Sequence, residues 1–186
     1  MKFRLVGIVL LILATSPLPF AESASSEKSK TELETFAAQT GAVIIKGYSE
    51  IGEVKEMGPV DVDCREFTNA QTGEKSYGMV IKITESGRLE RDDSSFIDLD
   101  EIPSLITGID YIAKIKPDVT KLHNFEATYS TRGDFSVTVF SDSRGKLAIA
   151  VSSGRIGRAT AYLSLEQLAQ LRALVVGTQE KIESIK

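Results

Sequence analysis

The sequence predicts an α+β protein made of two tandem β4-α units, that is, two antiparallel sheets with helices, preceded by a short N-terminal helix. Three observations predict it. First, from Ala42 to Leu99 and again from Phe125 to Leu163, segments rich in apolar and β-branched residues are separated by Gly-, Asn- and Asp-containing turns, the signature of consecutive hairpins. Second, each of these regions runs into a segment whose apolar residues follow helical spacing. Third, the hairpin turn before each helix is nearly repeated. Ser86-Gly87-Arg88-Leu89-Glu90-Arg91 and Ser153-Gly154-Arg155-Ile156-Gly157-Arg158 share four identical positions and a Leu/Ile exchange.

The N-terminal residues are read separately. Lys2 and Arg4 precede an apolar run from Leu5 to Ala14, Ser16-Pro17-Leu18-Pro19 breaks it, and the small residues Ala21, Ser23, Ala24 and Ser25 follow. This is the plan of a secretory signal peptide, assigned to residues 1–24, and the run is shorter than the roughly 18 apolar residues that a membrane span needs. The protein is therefore expected to be periplasmic or secreted, with no transmembrane segment after the signal peptide. Residues 25–41 are assigned to a leader and short helix, 42–116 to the first β4-α half and 117–186 to the second, the halves forming one compact domain.

Within the leader, Thr31-Glu32-Leu33-Glu34 reads as a capping box, with Leu33 and Phe36 on the docking side and Gly41 as the stop. Strands are predicted over Ala42 to Tyr48, Val60 to Phe67, Tyr77 to Thr84 and Arg88 to Leu99. Met79, Ile81 and Ile83 share one face of the third strand, and the polar Asp92-Asp93-Ser94-Ser95 predicts a bulge or short loop in the fourth. The helix that follows carries the stripe Ile102, Leu105, Ile106, Ile109, Ile112 and Ala113. Pro103 fits only a first turn, which favours capping by Asp100 and a start near Glu101 over a box from Asp98. Gly108 inside this helix costs about 1 kcal/mol relative to alanine and predicts close approach of the helix to the sheet. Lys116-Pro117-Asp118 closes the half.

The second half repeats the order. Strands are expected over Phe125 to Ser130, Phe135 to Phe140, Lys146 to Val151 and Arg155 to Leu163, with turns at Thr131–Asp134, Ser141–Gly145 and Ser153-Gly154. Ser164-x-x-Gln167 is a capping box for a last helix with the stripe Leu165, Leu168, Leu171, Leu174, Val175 and Ile182. Phe67–Gly73 matches Phe140–Gly145 with one residue inserted, and the caps align Asp98 with Ser164 and Glu101 with Gln167, which supports a duplication. Neither half alone covers its sheet, so the halves are expected to pair about a pseudo-two-fold axis with the helices packed across the sheets. Over residues 42–183 this order of elements resembles the architecture of the Whirly family of single-stranded DNA-binding proteins. That resemblance implies the fold. The lysine-rich DNA-binding motif of the family is missing here, and fold alone does not transfer function.

Charge narrows the partners. The net charge is −4, and about −6 once Lys2 and Arg4 are removed, so a general nucleic-acid binder is disfavoured. Residues 42–101 carry seven Lys/Arg against fourteen Asp/Glu, whereas 123–163 carry five against three, which assigns any anion-binding surface to the second half.

Motifs for chemistry are sparse. Cys64, the only cysteine, can be a reactive thiol, a link between chains or a buried apolar residue; the alternation Val60-Asp61-Val62-Asp63-Cys64 favours the last. A Cys64–His123 nucleophile pair is the enzymatic alternative, with His123 the only histidine. The acidic run Asp92, Asp93, Asp98, Asp100 and Glu101 lacks the spacing of a calcium loop and reads as a solvated edge plus helix cap. Arg132-Gly133-Asp134 matches an adhesion tripeptide and also ordinary hairpin-turn chemistry, which is preferred. Arg88, Arg91, Arg155 and Arg158 remain as candidate ligand-binding residues. They either line a groove for an anionic ligand or pair with carboxylates such as Glu90, Asp92 and Asp93 between the halves, the second being preferred. No catalytic residue, metal site or cofactor is assigned. The function expected is a non-enzymatic exported binding or interaction protein, its partner a protein or an anionic ligand. The alternatives are a single-stranded nucleic-acid or polyanion binder and a cysteine-dependent enzyme.

Overall fold

The structure, a computed structural model, describes residues 31–55, 58–85, 91–142, 144–154 and 157–186. The signal-peptide assignment and residues 25–30 of the leader lie outside the described residues, as do Arg88 and Arg155. The order is α1 (Glu32–Ala37), β1 (Ile44–Val54), β2 (Val60–Asn69), β3 (Lys75–Glu85), β4 (Arg91–Asp98), a 3-10 turn at Leu99–Glu101, and α2 (Ile102–Ile112). The second half follows as β5 (Glu126–Ser130), β6 (Ser136–Ser141), β7 (Leu147–Ser153), β8 (Ala159–Leu163) and α3 (Leu165–Ile185). Each half forms its own four-stranded antiparallel sheet in sequential order, β1-β2-β3-β4 and β5-β6-β7-β8. The α+β class and the repeated sheet units are thus as the sequence predicts.

Each helix leaves its own sheet and covers the other one. Helix α2, which ends the first half, packs on β5 and β6, and α3, which ends the second, packs on β1, β2 and β3. One buried cluster therefore draws on both halves: Val62, Cys64, Met79, Ile81, Ile83 and Ile97 from the first sheet, Val137, Val139, Val151 and Ala161 from the second, and both helix stripes. The sheets also touch directly, β3 and β4 against β7 and β8. At that seam the buried hydroxyls of Ser95 and Ser153 satisfy each other at 2.7 Å. Arg172 of α3 clamps Asp110 of α2 with two bonds, Nε at 2.5 Å and Nη2 at 2.8 Å.

Helix α1 docks on the outer face of the first sheet. Its box is complete: Glu34 N donates to Thr31 Oγ1 at 3.1 Å and Thr31 N donates to Glu34 Oε2 at 2.9 Å. Leu33 and Phe36 join Phe67 in a small second cluster. The seat is cut by Gly78, where a methyl group would collide with Leu33 Cδ1 and the Ile97 carbonyl. A helix of this length is marginal in water, so docking is what holds it.

Several local expectations need correction. Asp92–Ser95 neither bulges nor loops, because β4 pairs continuously with β3 from Gly78↔Asp98 to Glu85↔Arg91. Its polar side chains are satisfied in place, Ser95 by Ser153 and Asp92 by Lys82 at 2.9 Å. The register shift lies instead in β1, between Glu50 and Gly52, where Gly52 leaves room for Leu174 of α3. Helix α2 starts after a 3-10 turn, with neither Asp98 nor Glu101 making a side-chain cap, and Pro103 sits in its first turn. Ser164 and Gln167 form the predicted box, with bonds of 2.7 and 3.2 Å, while the positions aligned with them, Asp98 and Glu101, form none. Two stripe residues face solvent: Leu165, 60% exposed at the first turn of α3, and Ala113, just past the last turn of α2.

Candidate functional site

The exchange of helices leaves a cleft where α2 crosses the outer strand of the second sheet. It has a volume of about 540 Å³, and Ser104, Thr107, Gly108 and Tyr111 of α2 face Ala127, Thr128 and Tyr129 of β5 across it. Gly108 sets its depth. A methyl group there would lie 2.5 Å from both Cγ and Cδ2 of Tyr129, so the Tyr129 ring occupies the space that any other residue would fill. The Tyr129 hydroxyl is fixed by Ser104 Oγ at 2.9 Å, which turns the ring edge into one wall. Tyr111 stands at the mouth and is 68% exposed, a large aromatic surface offered to solvent. The lining is apolar with a rim of hydroxyls, a composition suited to a side chain whose backbone is held elsewhere.

That backbone partner is adjacent. Among the described residues strand β5 pairs only with β6. Flanking bonds fix the phase of the ladder: Ser141 N donates to Phe125 O at 3.1 Å and Thr131 N donates to Phe135 O at 2.9 Å. In an antiparallel pair, residues alternate between exchanging bonds with the partner strand and pointing those groups away. Glu126, Thr128 and Ser130 therefore direct their N–H and C=O groups to the open edge, beside the cleft. Prolines, inward charges or a covering loop commonly protect such an edge; the five residues of β5 contain no proline.

Of the arginine set, Arg91 and Arg158 lie among the described residues. Arg91 is exposed at the first position of β4, and Arg158 is exposed beside β8, its Nη2 donating to Ser136 Oγ at 2.7 Å. Gly154, just past β7, lies against the Asp93 carboxylate of β4, so the two sheets meet at that point. The link between a carboxylate cluster and an arginine of the other half is made by Arg132. Its guanidinium meets Asp98 at 3.4 Å, Glu101 at 3.2 Å and also Asp100, while its backbone N–H donates to Glu101 Oε1 at 2.8 Å. Gly133 is pressed against the Phe96 carbonyl and the Thr31 side chain, and Asp134 supplies the positive φ of 65° that closes the turn. Arg132-Gly133-Asp134 is thus a structural lock, its arginine committed within the molecule. The end of the acidic run, Asp98, Asp100 and Glu101, serves the same joint. Asp98, 2% exposed, accepts the α1 amides of Glu32 at 2.8 Å and Leu33 at 3.0 Å. Among the described residues no group of three or more His, Cys, Asp or Glu side chains is placed to hold a metal ion.

Cys64 is 3% exposed on the core face of β2, with Val60 and Val62, and burial pushes its thiol above the usual cysteine range. A nucleophile needs the opposite shift and an open approach. His123 is exposed in the segment before β5. Sequence reasoning missed the cleft, although Gly108 was its one visible mark. Among the described residues no helix is long and apolar enough to cross a membrane.

No family model matches the chain, and no curated protein or solved structure shows significant similarity to it.

Proposed function

We propose that the protein is a non-enzymatic interaction module that receives an extended segment of a partner polypeptide between α2 and β5. The observation that carries this reading is the juxtaposition of an open strand edge with an apolar cleft. The edge of Glu126, Thr128 and Ser130 offers backbone hydrogen bonds, and the cleft under Tyr111 and Tyr129 receives an apolar side chain. Backbone pairing supplies affinity in this mode of recognition, and the pocket supplies selectivity. The signal-peptide reading of residues 1–24 supports a partner in the periplasm or outside the cell.

The test is a screen of labelled unstructured peptides by fluorescence anisotropy, followed by two variants. Thr128→Pro removes an outward N–H while leaving the β5–β6 bonds intact, since that donor points away from β6. Tyr111→Ala removes the exposed ring. Both are expected to weaken binding at least tenfold with the fold retained by circular dichroism. Peptides that bind equally well to both variants would overturn the reading.

A second reading has its own observation: Gly154, just past β7, lies against Asp93 of β4, two residues from the exposed Arg91. It assigns an anionic ligand or single-stranded nucleic acid to that region. A gel-shift at low salt tests it, and no retardation of single-stranded DNA by high micromolar protein would eliminate it.

A further inference from the structure

We propose that the free edge of β1 is a self-association surface, at which a second copy of this chain pairs antiparallel to form a continuous eight-stranded sheet. Among the described residues strand β1 pairs only with β2, and its residues from Ile45 to Glu50 are all exposed. Ile45 and Tyr48 are 57% and 73% exposed, large apolar surface on an open edge, where it invites pairing. The phase of the edge follows from Ala70 N donating to Val43 O at 2.9 Å. Alternation then turns the backbone groups of Val43, Ile45, Gly47 and Ser49 toward β2 and those of Ile44, Lys46, Tyr48 and Glu50 outward.

The occupant is specified by the order of side chains along this edge. Ile45-Lys46-Gly47-Tyr48-Ser49-Glu50-Ile51 is chemically self-complementary about Tyr48. With Tyr48 opposite Tyr48 of a second copy, Lys46 faces Glu50 of that copy and Glu50 faces its Lys46. Gly47 faces Ser49, and Ile45 faces Ile51 on the face that carries α3. Three outward-facing positions on each chain give about six backbone hydrogen bonds across the seam. This is an isologous two-fold contact, which closes on itself and does not propagate into fibres. The irregularity between Glu50 and Gly52 ends the regular register, so pairing stops after the complementary window. An unrelated strand would gain the backbone bonds but would lack the matched charges, which is why the second copy is favoured over a foreign peptide here. The surface is separate from the α2–β5 cleft.

Sedimentation velocity over a concentration series measures the assembly, and cross-linking fixes its register. The wild-type protein is expected to show a concentration-dependent dimer. Lys46→Glu should raise its dissociation constant about tenfold, because two attractive cross-strand pairs become repulsive. The charge exchange Lys46→Glu with Glu50→Lys should restore it. Tyr48→Cys places two thiols in a self-paired position with Cα atoms about 5.5 Å apart, within disulfide range. It should form a covalent dimer under mild oxidation, whereas Val119→Cys, also exposed, should not. A monomer at every concentration up to about millimolar, a dimer indifferent to both charge variants, or equal cross-linking at positions 48 and 119 would each overturn the proposal.

Discussion

Substituting Asp98→Asn probes the joint where α1, β4 and the turn before β6 meet. The Asp98 carboxylate accepts two backbone amides of α1, at 2.8 and 3.0 Å, and lies 3.4 Å from Arg132. A hydrogen bond to a charged group contributes about 1.5–3 kcal/mol and a neutral one about half as much. Asparagine keeps one carbonyl acceptor, so one amide bond survives in weaker form while the other amide meets an NH2 donor. Arg132 retains Asp100 and Glu101 and is partly exposed, so its share of the loss is under about 1 kcal/mol. The expected cost is about 2–3 kcal/mol. Docking of Leu33 and Phe36 is worth more than that, at about 1.5–3 kcal/mol for each buried side chain, so α1 stays in place but opens more often. Urea denaturation should show a lower midpoint with an unchanged slope. Hydrogen exchange at the Leu33 amide should accelerate by about thirtyfold, following the tenfold change per 1.4 kcal/mol. A stability change below about 0.5 kcal/mol together with unaltered exchange at Leu33 would refute the assignment of Asp98 as the anchor of α1.

Three further outcomes are expected. Gly108→Ala gains about 1 kcal/mol of helix propensity but drives a methyl group into the Tyr129 ring. The single variant should therefore lose about 1–3 kcal/mol, and in a Tyr129→Ala background the same change should stabilise, as read by a double-mutant cycle of thermal unfolding. Cys64 should react with a thiol dye only slowly in the native protein and at once in urea; rapid native labelling would contradict its burial. Asp110, held below the ordinary carboxylate range by its bond to Arg172, contributes stability that is present above its unfolded value of about 3.9 and lost as pH falls through its folded value. Arg172→Ala should remove that acid-side dependence, seen by comparing urea midpoints between about pH 5 and pH 3.

What the sequence disclosed was local. The Thr31–Glu34 and Ser164–Gln167 boxes span three residues each, and the alternation of Val60, Val62 and Cys64 is settled by the pleat of one strand. The failures share a different scale. Asp98 was weighed as a cap of the next helix and set aside for Asp100, and nothing nearby pointed to its partners, which lie 66 and 65 residues away at Glu32 and Leu33. Ser95 looked like an interruption of β4 because its satisfying hydroxyl, Ser153, is 58 residues distant. Arg132 sat inside a tripeptide that drew attention to adhesion and away from the carboxylates 31 and 32 residues earlier. The cleft was the hardest to see. Ser104, Tyr111 and Tyr129 carry no pattern of their own, and only the cost of Gly108 in mid-helix hinted that an aromatic ring from another element fills the gap.

The crossing of α2 and α3 onto each other's sheets has a consequence for how the chain holds together. Were the halves separate molecules, each would have to borrow its covering helix from a neighbour, and their association would weaken on dilution. The segment between Ile112 and Glu126 ties them into one chain and sets an effective concentration of millimolar order. Mutual completion thereby becomes an intramolecular, dilution-proof event. A single cut in that connection would leave the contacts unchanged and make the melting temperature depend on protein concentration.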